Sequence, residues 1–151
     1  MIKIYFACSI RGGRADAEYY GLLVAVIKKY AHVLTEIFAD KSLTAVGMQS
    51  PSGDIWSNDI RWIGQADAVI AEVSNPSLGV GYEIAAAEKM GKPILCLFRS
   101  DEGKKLSAMI EGSPGATIFE YSNIETAEHA IAAFLSNVRV HSTIDSHTAY
   151  G

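Results

Sequence analysis

The sequence predicts an α/β protein: a single doubly wound, five-stranded parallel sheet with helices on both faces, Rossmann-like or flavodoxin-like in layout. Three observations predict it. Short apolar runs of strand length recur at 2–8, 32–35, 68–73, 93–98 and 116–121. Segments with helical apolar spacing follow or separate them, which gives the order βαβαβαβαβα. The junctions carry Gly, Ser, Asn or Pro, the residues that turn a chain sharply.

The chain has 151 residues, 49% of them hydrophobic and 20% charged, which suits one domain with a real core. A net charge of −4 argues against broad nucleic-acid binding, because no basic face is available to neutralise a phosphate backbone. Residues 1–8 lack the apolar core and small-residue cleavage site of a secretory signal. No stretch approaches the roughly 20 apolar residues of a membrane span. Cys8 and Cys96 sit in apolar strand-like runs and read as buried thiols rather than a disulfide. With no CxxC or Cys/His ligand spacing, no metal or cofactor is expected. The expectation is a cytoplasmic protein, or a nuclear one if the source is eukaryotic.

The first strand, 2–8 (IKIYFAC), runs into Ser9-Ile10-Arg11-Gly12-Gly13-Arg14, and a helix follows over 15–30. Strand, glycine turn and helix in that order make an anion-binding corner. Glycines let backbone approach a phosphate, and the helix start presents free N–H groups. Arg11 and Arg14 add charged donors. A tight structural turn is the plain alternative. The strand 32–35 (HVLT) leads into a mixed, polar connection over 36–53, a candidate flap over a ligand. Residues 54–65 (DIWSNDIRWIGQ) read as a helix on which Ile55, Asp59, Trp62, Ile63 and Ala66 share one face. Asp59 is the odd member, a carboxylate in an apolar stripe, costly there unless it has partners or chemistry to perform. Pairing with Arg61 or a lysine at the edge of the stripe is its plain alternative. Asp67 marks the turn into the next strand.

The stretch 67–83 (DAVIAEVSNPSLGVGYE) organises the chain. A buried strand broken only by Glu72 passes through a Ser/Asn/Pro turn into a helix expected over 79–90. Glu83 is expected in the first turn of that helix, beyond the carboxyl end of the strand, where open α/β sheets bind ligands. Complementing the helix dipole is the alternative role. Gly91-Lys92-Pro93 stops the helix. A strand over 93–98, a short helix over 106–110, a strand over 116–121 and an amphipathic helix over 124–138 complete a domain of 1–138. Residues 139–151 are polar without periodicity and are expected to form a disordered tail.

Tyr5, inside the first strand, needs a polar partner for its hydroxyl if it is buried. Asp59 and Glu83 can converge with it at one end of the sheet. Two carboxyls of unlike acidity, one nucleophile and one acid/base, are the usual equipment for cleaving a bond at an anomeric carbon. Spacing alone therefore supports an α/β enzyme acting on a phosphorylated small molecule.

The motifs YFACSIRGGR (5–14), NDIRWIGQADAVIAEV (58–73), SLGVGYE (77–83), GKPILCLFR (91–99) and LSAMI (106–110) together resemble the 2′-deoxynucleoside 5′-monophosphate N-glycosidase family. These are the Rcl-type hydrolases of the nucleoside 2-deoxyribosyltransferase superfamily. The resemblance spans about residues 2–135. It implies hydrolysis of deoxynucleoside monophosphates to free base and 2-deoxyribose 5-phosphate. Glu83 would be the nucleophile at C1′, Asp59 the acid that helps the base leave, and Tyr5 the group holding Glu83. Ser9, Arg11, Gly12, Gly13 and Ser77 would bind the 5′-phosphate, with Ile10, Arg14 and Gly79 beside them. It also implies a homodimer in which Ser107, flanked by Ala108 and Met109, completes the neighbouring site. One departure stands out. Thr35-Glu36 is followed by Ile37-Phe38 where familiar members carry histidine, which bears on base preference. Deoxyribosyl transfer between unphosphorylated nucleosides is the alternative activity, and a non-catalytic nucleotide-binding module the alternative class.

Overall fold

The computed structural model describes residues 1–10, 16–35, 51–99 and 103–148, the last eight by backbone alone. Five strands, β1 (Lys3–Ala7), β2 (His32–Val33), β3 (Ala68–Glu72), β4 (Ile94–Phe98) and β5 (Ala116–Glu120), form one sheet in the order β2-β1-β3-β4-β5. Every pairing is parallel. The doubly wound α/β architecture is the one the sequence predicts.

β1, β3 and β4 are apolar almost throughout because both their faces are covered. Helices α1 (Ala17–Lys28), α2 (Ser52–Gln65), α3 (Leu78–Lys89), α4 (Ala108–Glu111) and α5 (Ile124–Thr148) cover them. The connection from β1 to β2 runs one way along the sheet and all later ones run the other. Right-handed crossovers then put α1 on one face and α2 and α3 on the opposite face. α1 packs against α5, and α2 against α3. Residues paired across parallel strands share a face. Tyr5, opposite Val69, therefore shares its face with Val69, while Phe6, opposite Ile70, lies on the other.

β2 is shorter than expected for a local reason. Its backbone pairing ends with Leu34 donating to the Ile4 carbonyl. Thr35 then pairs through its side chain. Its Oγ1 accepts from Phe6 N at 2.9 Å and donates to Phe6 O at 2.7 Å. The last helix is longer than expected. α5 continues ten residues past Val138, into the segment expected to be disordered. No Gly or Pro interrupts 124–148, and Arg139 donates to the Tyr30 carbonyl at 2.6 Å, fastening the helix to the end of α1.

Asp67 occupies its expected turn, where its Oδ2 accepts from Lys3 N at 2.7 Å. Cys8 and Cys96 are buried free thiols, and burial pushes the Cys96 thiol up to about 12. β3 lies between their strands, a separation of about 10 Å at the usual strand spacing and too far for a disulfide. Among the described residues no helix is long and apolar enough to cross a membrane.

Candidate active site

The site is built from β1, α2 and α3. Tyr5 is fully buried in β1, and its hydroxyl donates to Glu83 Oε1 at 3.0 Å. The carboxylate reaches it because of how α3 starts. Ser77 is extended (φ −147, ψ 125), and its Oγ accepts from Val80 N at 3.3 Å, so the helix opens at Leu78. Glu83 is then the sixth helical residue and lies beyond the first turn. That corrects the expected placement. The free N–H groups of a helix lie within its first turn, so Tyr5, rather than the helix dipole, is what this carboxylate meets.

Asp59 stands mid-way along α2, half-buried on the face that buries Ile63. It does not take the pairing that its sequence neighbour offers, because Arg61 donates to Asn58 at 2.8 Å instead. Burial pushes the Asp59 carboxyl up to about 6. Glu83 is pushed up to about 8, first by burial and then by the Asp59 charge, while the Tyr5 hydrogen bond pulls the other way. The Tyr5 hydroxyl is itself held far above its usual range by burial and by the charges of Glu83 and Asp59. The three groups thus feel one another electrostatically. The two carboxyls together keep one proton between about pH 6 and pH 8. Nearer the rim, Trp56 on α2 donates from Nε1 to the Tyr82 hydroxyl on α3 at 3.2 Å.

Of the residues expected to bind phosphate, Ser9 is fully buried at the end of β1, and its Oγ accepts from Asn75 Nδ2 at 3.3 Å. Ile10 is half-buried beside it. Ser77 and Gly79 lie at the start of α3, where Gly79 is exposed. Arg11, Gly12, Gly13 and Arg14, together with Ile37 and residues 36–50 of the flap expected over 36–53, lie outside the described residues, while Ser52 and Gly53 from that stretch begin α2 instead. Ser107, Ala108 and Met109 are exposed at the start of α4, with Met109 83% accessible. α4 packs against β5, three strands away from β1, about 14 Å at the usual spacing.

Comparison with known proteins fits this layout. The family model for nucleoside 2-deoxyribosyltransferase matches residues 4–114. The chain belongs to the nucleoside 2-deoxyribosyltransferase family. Within reach of this family member, a rat protein named 5-hydroxymethyl-dUMP N-hydrolase is 49% identical over 120 residues, covering 78% of this chain and 74% of its own. The human protein of the same name is 45% identical over 127 residues, covering 83% and 73%. Two solved structures share the fold at 18% identity. One is the CMP N-glycosidase BcmB of Clostridium botulinum, with a TM-score of 0.62 over 87% of this chain and 98% of that one. The other is BlsM, with a TM-score of 0.71 over 90% of each.

Sequence reasoning passed over one part of this family member's site region. Asp16, Glu72, Arg99 and Tyr121 form a buried polar cluster at the same edge of the sheet, on the α1 face. The signal was present as two charges in apolar strand contexts, Glu72 inside AVIAEV and Arg99 after ILCLF.

Proposed function

We propose that the chain hydrolyses the N-glycosidic bond of 2′-deoxynucleoside 5′-monophosphates, releasing the free base and 2-deoxyribose 5-phosphate. The observation that carries this reading is the Tyr5–Glu83 hydrogen bond with Asp59 close enough for its charge to raise Glu83. One proton on two carboxyls is the state that glycoside cleavage needs, with one group ionised to attack and the other protonated to donate.

Glu83, ionised and oriented by Tyr5, attacks C1′ as the bond from C1′ to the base nitrogen breaks. Asp59 gives its proton to the departing base. A glycosyl ester to Glu83 remains. Asp59, now ionised, takes a proton from water, whose oxygen attacks C1′ and returns Glu83 as carboxylate. Tyr5, which donates a hydrogen bond to Glu83, favours its ionised form and so opposes the burial and the Asp59 charge that hold the shared proton on Glu83, keeping the state with the proton on Asp59 within reach. The 5′-phosphate sits toward Ser9, Ser77 and the start of α3, with Arg11, Gly12, Gly13 and Arg14 completing its cradle. Ser107 of one subunit serves the site of the other in a homodimer. The exposure of 107–109 and their position beside β5 support that arrangement. The catalytic unit is 1–138. Nucleoside monophosphates are made and used inside cells, which suits cytoplasmic action.

The relatives' names make 5-hydroxymethyl-dUMP the first substrate to try, alongside dGMP, dCMP and dUMP. Purified protein is incubated with each, and free base is measured by chromatography. Release by wild type that disappears in Glu83→Gln is the expected result. No release from any of them, or undiminished release by Glu83→Gln, overturns the proposal. The matching family's own name keeps transfer in view. Appearance of a new nucleoside when a second free base is supplied would show that deoxyribose moves between bases.

A further inference from the structure

On the sheet face opposite the two carboxylates, one buried arginine ties together the chain segments that frame the phosphate corner. Arg99 follows β4 and is 5% exposed. Its Nη2 donates to Asp16 Oδ1 at 2.6 Å, and its guanidinium lies over the Tyr19 ring, 3.9 Å from the centroid. Nη1 approaches the Tyr121 hydroxyl at 3.5 Å, and that hydroxyl donates to Glu72 Oε2. The other Glu72 oxygen accepts from Ser74 N at 2.6 Å, and Arg99 N donates to Ser74 Oγ at 2.8 Å. Next along the turn, Asn75 donates to Ser9.

Stability does not account for this cluster. Removing two carboxyls and a guanidinium from water costs about as much as their attraction returns, and apolar side chains of similar size would hold a fold at least as well. What charged groups supply in addition is fixed geometry. The segments they join are specific ones. Asp16 stands at the start of α1, directly after residues 11–15. Ser74 and Asn75 open the turn that ends at Ser77 and the start of α3. Ser9 closes β1.

Resting on the function proposed above, we infer that Arg99 is the positioning residue for the phosphate half of the site. It holds the start of α1 and the β3–α3 turn at the one spacing at which both reach the same 5′-phosphate. The carboxylates lie on the other face of the sheet, and Glu83 is oriented directly by Tyr5. The network therefore governs substrate affinity rather than the chemical step.

The test compares Asp16→Asn, Tyr121→Phe and Arg99→Lys with wild type. The readouts are kcat, KM and their pH profiles with a deoxynucleoside monophosphate, and calorimetric binding of 2-deoxyribose 5-phosphate. Asp16→Asn is expected to raise KM and the sugar-phosphate Kd about tenfold, the weight of one charge-assisted hydrogen bond, with kcat and the pH profile unmoved. Arg99→Lys, which keeps the charge but cannot span Asp16 and Tyr121 together, gives a similar or larger shift of the same kind. Tyr121→Phe keeps the ring and loses only the bridging hydroxyl, so it gives a folded variant with a smaller rise, about threefold. Folded variants with wild-type KM and Kd overturn the inference while leaving the hydrolase intact. So does a fall in kcat with a displaced pH profile. Failure of wild type to bind the sugar phosphate overturns both the inference and the proposed function.

Discussion

Tyr5→Phe is the sharpest test of how the carboxylate pair is set. The substitution keeps the buried ring and removes one hydroxyl, whose partner is Glu83 Oε1 at 3.0 Å. A hydrogen bond to an ionised group contributes about 1.5–3 kcal/mol, which corresponds to about one to two pKa units. The bond favours ionised Glu83, so its loss raises the Glu83 carboxyl further above about 8. Two effects follow. The proton shared by the pair is held more firmly on Glu83, and the fraction carrying an ionised nucleophile with a protonated Asp59 falls about ten- to hundredfold, taking kcat down with it. The alkaline limb of the pH–rate profile, where the second proton leaves the pair, moves up by about one to two units. The acid limb, set by the first proton to leave near pH 6, stays in place. Base release is followed from pH 5 to pH 10, with a melting curve to confirm that the variant is folded. A folded Tyr5→Phe protein with the wild-type rate and limbs would refute the argument.

Other predictions address the same groups. Asp59→Asn removes the proton donor and is expected to lower kcat about a hundredfold or more, the usual weight of general acid–base catalysis. The loss should be smallest for the base that leaves most readily, measured by comparing bases. Glu83→Gln should raise the melting temperature at pH 8 and leave it little changed at pH 4. A carboxyl whose folded pKa is raised above its unfolded value binds more protons in the folded state, so it lowers stability as pH climbs from about 4.5 to about 8. A neutral amide escapes that loss, and equal shifts at both pH values would contradict the raised value. Ser77→Ala deletes the cap on Val80 N and should cost about 1 kcal/mol in urea denaturation. It should also weaken substrate binding if Ser77 meets the phosphate.

The fold was legible because its central strands are buried on both faces and so appear as unbroken apolar runs. The boundaries were less so. Whether Glu83 falls in the first or second turn of α3 depends on which residue caps the helix, and that is settled by the extended backbone of Ser77 rather than by composition. The continuation of α5 was missed because residues 139–148 show no apolar periodicity, and the Arg139 contact that fastens the helix joins positions 109 apart in sequence. Tyr5, Asp59 and Glu83 could be singled out because each breaks the chemistry of its element: a hydroxyl in a buried strand, a charge in an apolar stripe, an acid near a strand end. Arg99 breaks its element in the same way. Its partners lie 83 and 22 residues distant, so the cluster becomes visible only once the sheet is assembled.

Lys92 gives the helix pair an asymmetric mounting. Its ammonium donates to the carbonyls of Gly64 and Ala66 at 2.8 and 2.7 Å, riveting the tail of α2 to the turn after α3. At the opposite end the Trp56–Tyr82 hydrogen bond spans the two helices. The pair resembles a clothes peg with its spring at Lys92. Trp56 is eight residues from Gly64, an arm of about 12 Å, so a tilt of about ten degrees about the rivet widens the jaws by about 2 Å. Asp59 and Glu83 stand along the two arms between the rivet and the jaws, so a pivot about Lys92 would change the space between the two carboxyls.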